Sequence, residues 1–107
     1  MKNLIVTLIL LVAFASATGK ASYAADTGAD VYKAKCASCH GADGKGDTAM
    51  GKNLKLKDLG SADVQSQSDA DLAGVIAKGK KPMPGYEGKL TNDQIQDVVK
   101  YIRSLKK

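Results

Sequence analysis

Tryptophan is absent from this 107-residue chain and phenylalanine occurs once, so aromatic residues make up only 5% of it. A core with so few rings must be built from aliphatic side chains, and a domain this short buries few of them. Histidine also occurs once and cysteine twice. A structural zinc site takes four ligands, so one here would need a carboxylate, which is uncommon in such sites. Long basic runs are missing too. The lysines are spread among aspartates, which argues against a nucleic-acid binder.

No apolar run is long enough to cross a bilayer as a helix. The longest covers residues 4–15, broken only by Thr7, whereas a span takes about 20 residues. It follows the short basic start Met1-Lys2-Asn3. Small residues come after it, and Ser22-Tyr23-Ala24 puts small side chains at the third and first positions before a cut. This is the layout of a secretory signal peptide. Residues 1–24 are expected to be that leader, removed after Ala24, with Ala17 as the alternative cut. One domain over 25–107 remains, working in the periplasm or otherwise exported, with no stable membrane anchor. No cysteine lies near the cut, which excludes a lipid anchor. The domain keeps 14 basic and 11 acidic residues, a net charge of +3.

Helical signals dominate what is left. Asp26 or Thr27 can cap a first helix running to about Cys39. Four glycines within residues 41–51 predict a loop there. Leu54, Leu56 and Leu59 are expected to point inward from a mixed segment. Ser68 opens a helix whose first turn carries Asp69 and Asp71, suited to the helix dipole, and Gly79 ends it. Residues 80–88 form a second loop stiffened by Pro82 and Pro84. Thr91 and Gln94 form a capping box for the last helix. There Ile95, Val98, Val99, Ile102 and Leu105 recur at spacings of three and four. No segment alternates with the period of a strand, so the chain reads as all-α.

Two cysteines in an exported protein usually suggest a disulfide. Here they stand three apart and are followed at once by histidine: Cys36-Ala37-Ser38-Cys39-His40 is a C-x-x-C-H haem-attachment signature. Residues three and four apart share a helix face. Both thiols can therefore reach one edge of a porphyrin, while His40 meets the iron from one side. A thioredoxin-like pair should follow a strand, and this one follows a helix. An inert disulfide would leave the histidine unexplained. A large flat apolar cofactor also supplies what the thin core lacks.

With no second histidine, the other axial position falls to Met50, Met83 or a lysine. Pro82-Met83-Pro84 is favoured, because proline fixes φ on both sides of the sulfur and methionine is an established haem ligand. Met50 is expected to be an ordinary surface or core residue.

Several of these positions together resemble the small class I c-type cytochromes of bacteria. They are Gly28 and Tyr32, Cys36 to His40 with Gly41, Gly79, Met83-Pro84, Tyr86, Leu90-Thr91 and Val99-Tyr101-Ile102. The resemblance covers essentially all of 25–107. It implies the class I cytochrome c fold, three to four short helices around one covalently attached haem c with its iron. It implies His40 as the proximal ligand and Met83 as the distal one. It also implies a close crossing of the first and last helices, with Gly28 and Tyr32 against Val98 and Tyr101. One departure stands out. Many family members have a proline after the haem motif whose carbonyl accepts the ligand histidine's ring N–H, and no proline lies in 41–59. A carbonyl near Lys57 is expected to serve instead.

The expected function is one-electron transfer between redox partner proteins by an exported, monomeric, non-enzymatic carrier. Two alternatives are a haem subunit permanently docked to an oxidoreductase, and a haem enzyme or gas-binding protein with Met83 displaced. The last would need a distal acid–base group, yet no second histidine exists, and only Arg103 could play a distal arginine, far from the loop. Lys33, Lys35, Lys52, Lys55, Lys57, Lys78, Lys80, Lys81 and Lys89 lie near the two motifs in sequence. They are candidates to surround the haem edge and steer an acidic partner.

Overall fold

The computed structural model describes residues 27–107, so the expected leader and cleavage site lie outside the described residues. Helix α1 (Gly28–Lys35) opens on Thr27, whose hydroxyl accepts from the Asp30 N–H. It stops sooner than the sequence predicts. Cys36 departs from helical geometry, at φ −114°, and the chain resumes as a single turn, α2 (Ala37–His40).

The expected loop over 41–51 is shorter than predicted. Thr48 caps a one-turn helix, α3 (Ala49–Asn53), by accepting from Gly51 N–H. A further turn, α4 (Ala62–Gln65), follows. The short turns α3 and α4 come in addition to the helices that the sequence announces, and α2 is the detached end of the first of them. Helix α5 (Asp69–Lys78) starts on Ser68 and ends at Gly79, whose φ of +76° suits glycine. Helix α6 (Asn92–Ser104) carries the predicted capping box.

Four helices meet in one core of Val31, Val64, Leu72, Ile76, Ile95, Val98, Val99 and Ile102. Val98 is fully buried, a contribution of about 1.5–3 kcal/mol for a side chain of this kind. The α1–α6 crossing is the most extensive helix contact. It depends on Gly28: a Cβ there would stand 2.0 Å from Asp97 O. Beside it Tyr32 packs on Tyr101, with ring centroids 4.8 Å apart. The crossing thus takes the form expected.

Arg103 and Gln65 tie the middle of the chain to α6. Arg103 Nε donates to Asp69 Oδ1 at 2.9 Å and Nη1 to Gln65 O at 2.7 Å. Gln65 Nε2 donates to Leu59 O and Ile102 O, at 2.7 and 2.9 Å. At the end of the chain Lys107 Nζ meets Asp58 Oδ2 at 2.6 Å. That ammonium and the Gly60 N–H hold the Asp58 carboxyl below its ordinary pKa.

Candidate functional site

The turn 36–40 is helical enough to gather its three reactive side chains. His40 N–H bonds to Cys36 O at 3.0 Å and Cys39 N–H to the same carbonyl at 3.2 Å. The segment is then anchored from behind. Tyr32 Oη donates to Gly41 O at 2.6 Å in the interior. Thr48 Oγ1 donates to Cys39 O, also at 2.6 Å, and Gly46 N–H bonds to His40 O at 2.7 Å. Burial is the main cause that raises the Tyr32 pKa, so its hydroxyl stays a donor.

Opposite stands the loop 80–88. Met83 N–H bonds to Lys80 O at 2.8 Å and Lys80 N–H returns to Met83 O at 3.1 Å, closing a tight turn. The sulfur-bearing residue is thus held from its own backbone as well as by Pro82 and Pro84. Met83 also packs against the core.

A cavity of about 340 Å³ is lined by both segments, by Cys36, Cys39 and His40 from the first and by Pro82, Met83 and Pro84 from the second. Leu54, Leu56 and Val75 line it as well. A second chamber of about 150 Å³ shares Cys36, His40, Val75, Lys80 and Met83 and reaches Leu59, Leu72 and Val98. The four residues singled out from the sequence therefore converge on one apolar cleft. Leu54, Leu56 and Leu59 point inward as expected, but toward the cleft. Met50 does not line it and is 50% exposed. Arg103 is bound elsewhere and does not line it either, so the cleft offers no distal arginine.

The donor set fits a large, flat, apolar group with a metal at its centre. Both cysteines are free thiols, and burial pushes the Cys36 thiol up to about 11, with Cys39 adding to the shift. Burial lowers the His40 pKa, favouring the neutral imidazole, the form with a lone pair to offer a metal. His40 Nδ1 is buried without a hydrogen-bond partner. The carbonyl expected near Lys57 therefore does not accept from this ring. An unpartnered buried polar atom costs about 1–3 kcal/mol, which marks His40 as a side chain whose interactions the chain alone leaves incomplete.

The lysine rim divides. Lys35, Lys55, Lys57, Lys80 and Lys81 line the cleft, while Lys33, Lys52, Lys78 and Lys89 do not. Lys57 pairs with Asp63 at 3.7 Å. Among the described residues, Lys35, Lys55, Lys80 and Lys81 have no carboxylate within salt-bridge distance. Two features escape the sequence reading. Lys55 sits at φ +54°, in the position after α3 where glycine is usual; seeing it requires knowing that α3 exists. The Tyr86 hydroxyl donates to Lys35 O at 3.0 Å, a contact for which no local pattern exists.

A family model described as cytochrome c oxidase, cbb3-type, subunit III matches residues 23–102. A cytochrome c6 of Nostoc sp. is 38% identical over 105 residues, covering 95% of this chain and 92% of its own. That of Thermostichus vulcanus is 40% identical, covering 91% and 85%. Among solved structures, the c-type cytochrome KustC0563 is similar with a TM-score of 0.70 at 30% identity, over 76% of this chain and 99% of that one.

Proposed function

The chain belongs to the small monohaem class I c-type cytochromes, and from that membership we propose how its own residues hold the cofactor and meet a partner. It is an electron carrier rather than an enzyme, with one haem c bound covalently. When bound, the haem supplies a single iron that takes up and gives back one electron.

Cys36 and Cys39 hold the group covalently, His40 is its proximal ligand and Met83 its distal ligand. The observation that carries this assignment is a cleft lined by Cys36, Cys39 and His40 from one segment and by Met83 from another. With both His40 and Met83 supplied by the protein, no site would stay open for substrate, which suits a carrier. Methionine opposite histidine raises the potential, because a thioether is a weak donor that favours the reduced metal. The leader 1–24 is removed, and the domain 25–107 works in the periplasm or an equivalent exported compartment, as a monomer.

Replacing Met83 by Ala tests the assignment. The thioether-to-iron charge-transfer band should vanish, the potential should fall, and added cyanide should bind. Met50→Ala should change none of these. Exchanged phenotypes would show that the distal ligand comes from α3. Intact mass of the exported protein should equal residues 25–107 plus one haem.

The partner is proposed to present an acidic face. Lys35, Lys55, Lys80 and Lys81 stand at the cleft without carboxylate neighbours among the described residues. Exposed charges are screened beyond about 10 Å at 0.1 M salt. Their attraction is therefore read as an association rate that falls as salt rises.

A further inference from the structure

The loop that bears Met83 is fastened mainly to one neighbouring element. Its far end is bonded to the last turn of α5, with Tyr86 N–H on Ile76 O and Glu87 N–H on Ala77 O, both at 2.9 Å. Gly79 and Gly85 allow this close seating: a Cβ on Gly79 would stand 2.6 Å from Gly85 N, and one on Gly85 2.7 Å from Lys78 C. All of these ties run to α5. Among the described residues, a single hydrogen bond crosses from this loop to the segment carrying the two thiols and His40. It is the bond from Tyr86 Oη to Lys35 O, 3.0 Å long and 51 residues apart in sequence. Its acceptor is the last residue of α1, immediately before Cys36.

We infer that Tyr86 is a positioning residue for the distal ligand: its hydroxyl ties the Met83 loop to the end of α1 and so keeps the sulfur at the iron. The inference rests on the proposal that Met83 is that ligand, and deepens it. A thioether is a neutral, weak donor, so the iron–sulfur bond gives little resistance to the loop swinging away with α5. The imidazole needs no such help, since its own segment is anchored by Tyr32, Thr48 and Gly46. The Tyr86 ring itself lines the cleft. Phenylalanine would keep that packing and remove only the tie.

The test uses the mature ferric holoprotein titrated with imidazole, following the thioether-to-iron charge-transfer band as it is lost. A net hydrogen bond is worth about 1 kcal/mol, so Tyr86→Phe should raise the apparent imidazole affinity about five-fold. Tyr101→Phe is the control. It removes the 3.4 Å bond from Tyr101 Oη to Ala42 O, away from the loop, and should leave imidazole affinity unchanged. Unchanged affinity in Tyr86→Phe overturns the inference. An equal gain in both variants also overturns it, because general loosening would then be the cause. If the native protein lacks the band altogether, the Met83 assignment falls and this inference with it. A band that is present, and is lost in Met83→Ala, confines any failure to Tyr86.

Discussion

On the His40 side of the cleft, the chain turns back on itself at every step. Tyr32 holds Gly41 O at 2.6 Å, Thr48 holds Cys39 O at 2.6 Å, and the Tyr32 ring is wedged against Tyr101 of α6. On the Met83 side, a loop closes on itself between Lys80 and Met83 and leans on the end of α5. One wall is a part of the core and the other is attached to it. The contrast separates two kinds of failure. Damage behind His40 should unfold the protein, whereas damage around Met83 should leave a folded protein with altered iron chemistry.

The comparison breaks most completely if the cofactor is withheld. Cys36→Ala with Cys39→Ala, prepared without haem, should show no cooperative thermal unfolding by circular dichroism. The cleft between the walls would have nothing to fill it, and the core is a small set of aliphatics. A sharp melt would mean that the α1–α5–α6 contacts suffice and that the haem is an accessory.

Gly28→Val attacks the anchored wall from behind. Its side chain meets the backbone of Asp97 and Val98, so the helices must separate. Overpacking of this kind costs about 3 kcal/mol, measured by urea unfolding of the holoprotein. The charge-transfer band should persist in the folded fraction. Loss of the band before unfolding would erase the distinction between the walls.

A smaller effect is expected from Tyr32→Phe, which leaves the buried Gly41 carbonyl without its partner. The loss should be about 1–2 kcal/mol, with the potential nearly unchanged. A large shift in potential with little loss of stability would show that the hydroxyl acts on the iron rather than on the fold.

The smallest effect on stability should come from the rim of the attached wall. Lys80→Gln with Lys81→Gln should leave the melting temperature in place and flatten the salt dependence of electron transfer to an acidic partner, measured by stopped flow. The sequence grouped Lys78 with these two, yet Lys78 does not line the cleft. An identical salt slope in variant and native protein would leave these lysines as ordinary solvated surface.

What was legible in the sequence was local. Cys36 to His40, Thr91 with Gln94, and Gly79 each obey rules that operate within one helical turn, and each stands where it was read. The α1–α6 crossing follows from the resemblance, which implies Gly28 and Tyr32 against Val98 and Tyr101. Helix α3 was hidden because Gly51 lies within it and argues for a loop. The glycine is there for contact: a Cβ would stand 2.3 Å from Gly46 O and 2.6 Å from Cys39 O. The division of the lysines into lining and non-lining sets was out of reach, since tertiary arrangement decides it. So was the Tyr86–Lys35 bond, which joins positions 51 residues apart. The expected orienting carbonyl for His40 failed for a related reason. Removing the family's proline does not tell which backbone group moves into its place, and none does.

Val31 and Tyr32 find their partners on the last helix, with nearly all of the described chain between them. Contacts so far apart in sequence slow folding, because the entropy of the loop must be lost before they form. A chain emerging from its amino end therefore has no mate for α1 until α6 follows. During that interval Tyr32 lacks the Tyr101 ring that packs on it. The packing behind the 36–40 turn can therefore be completed only once the last helix has been made.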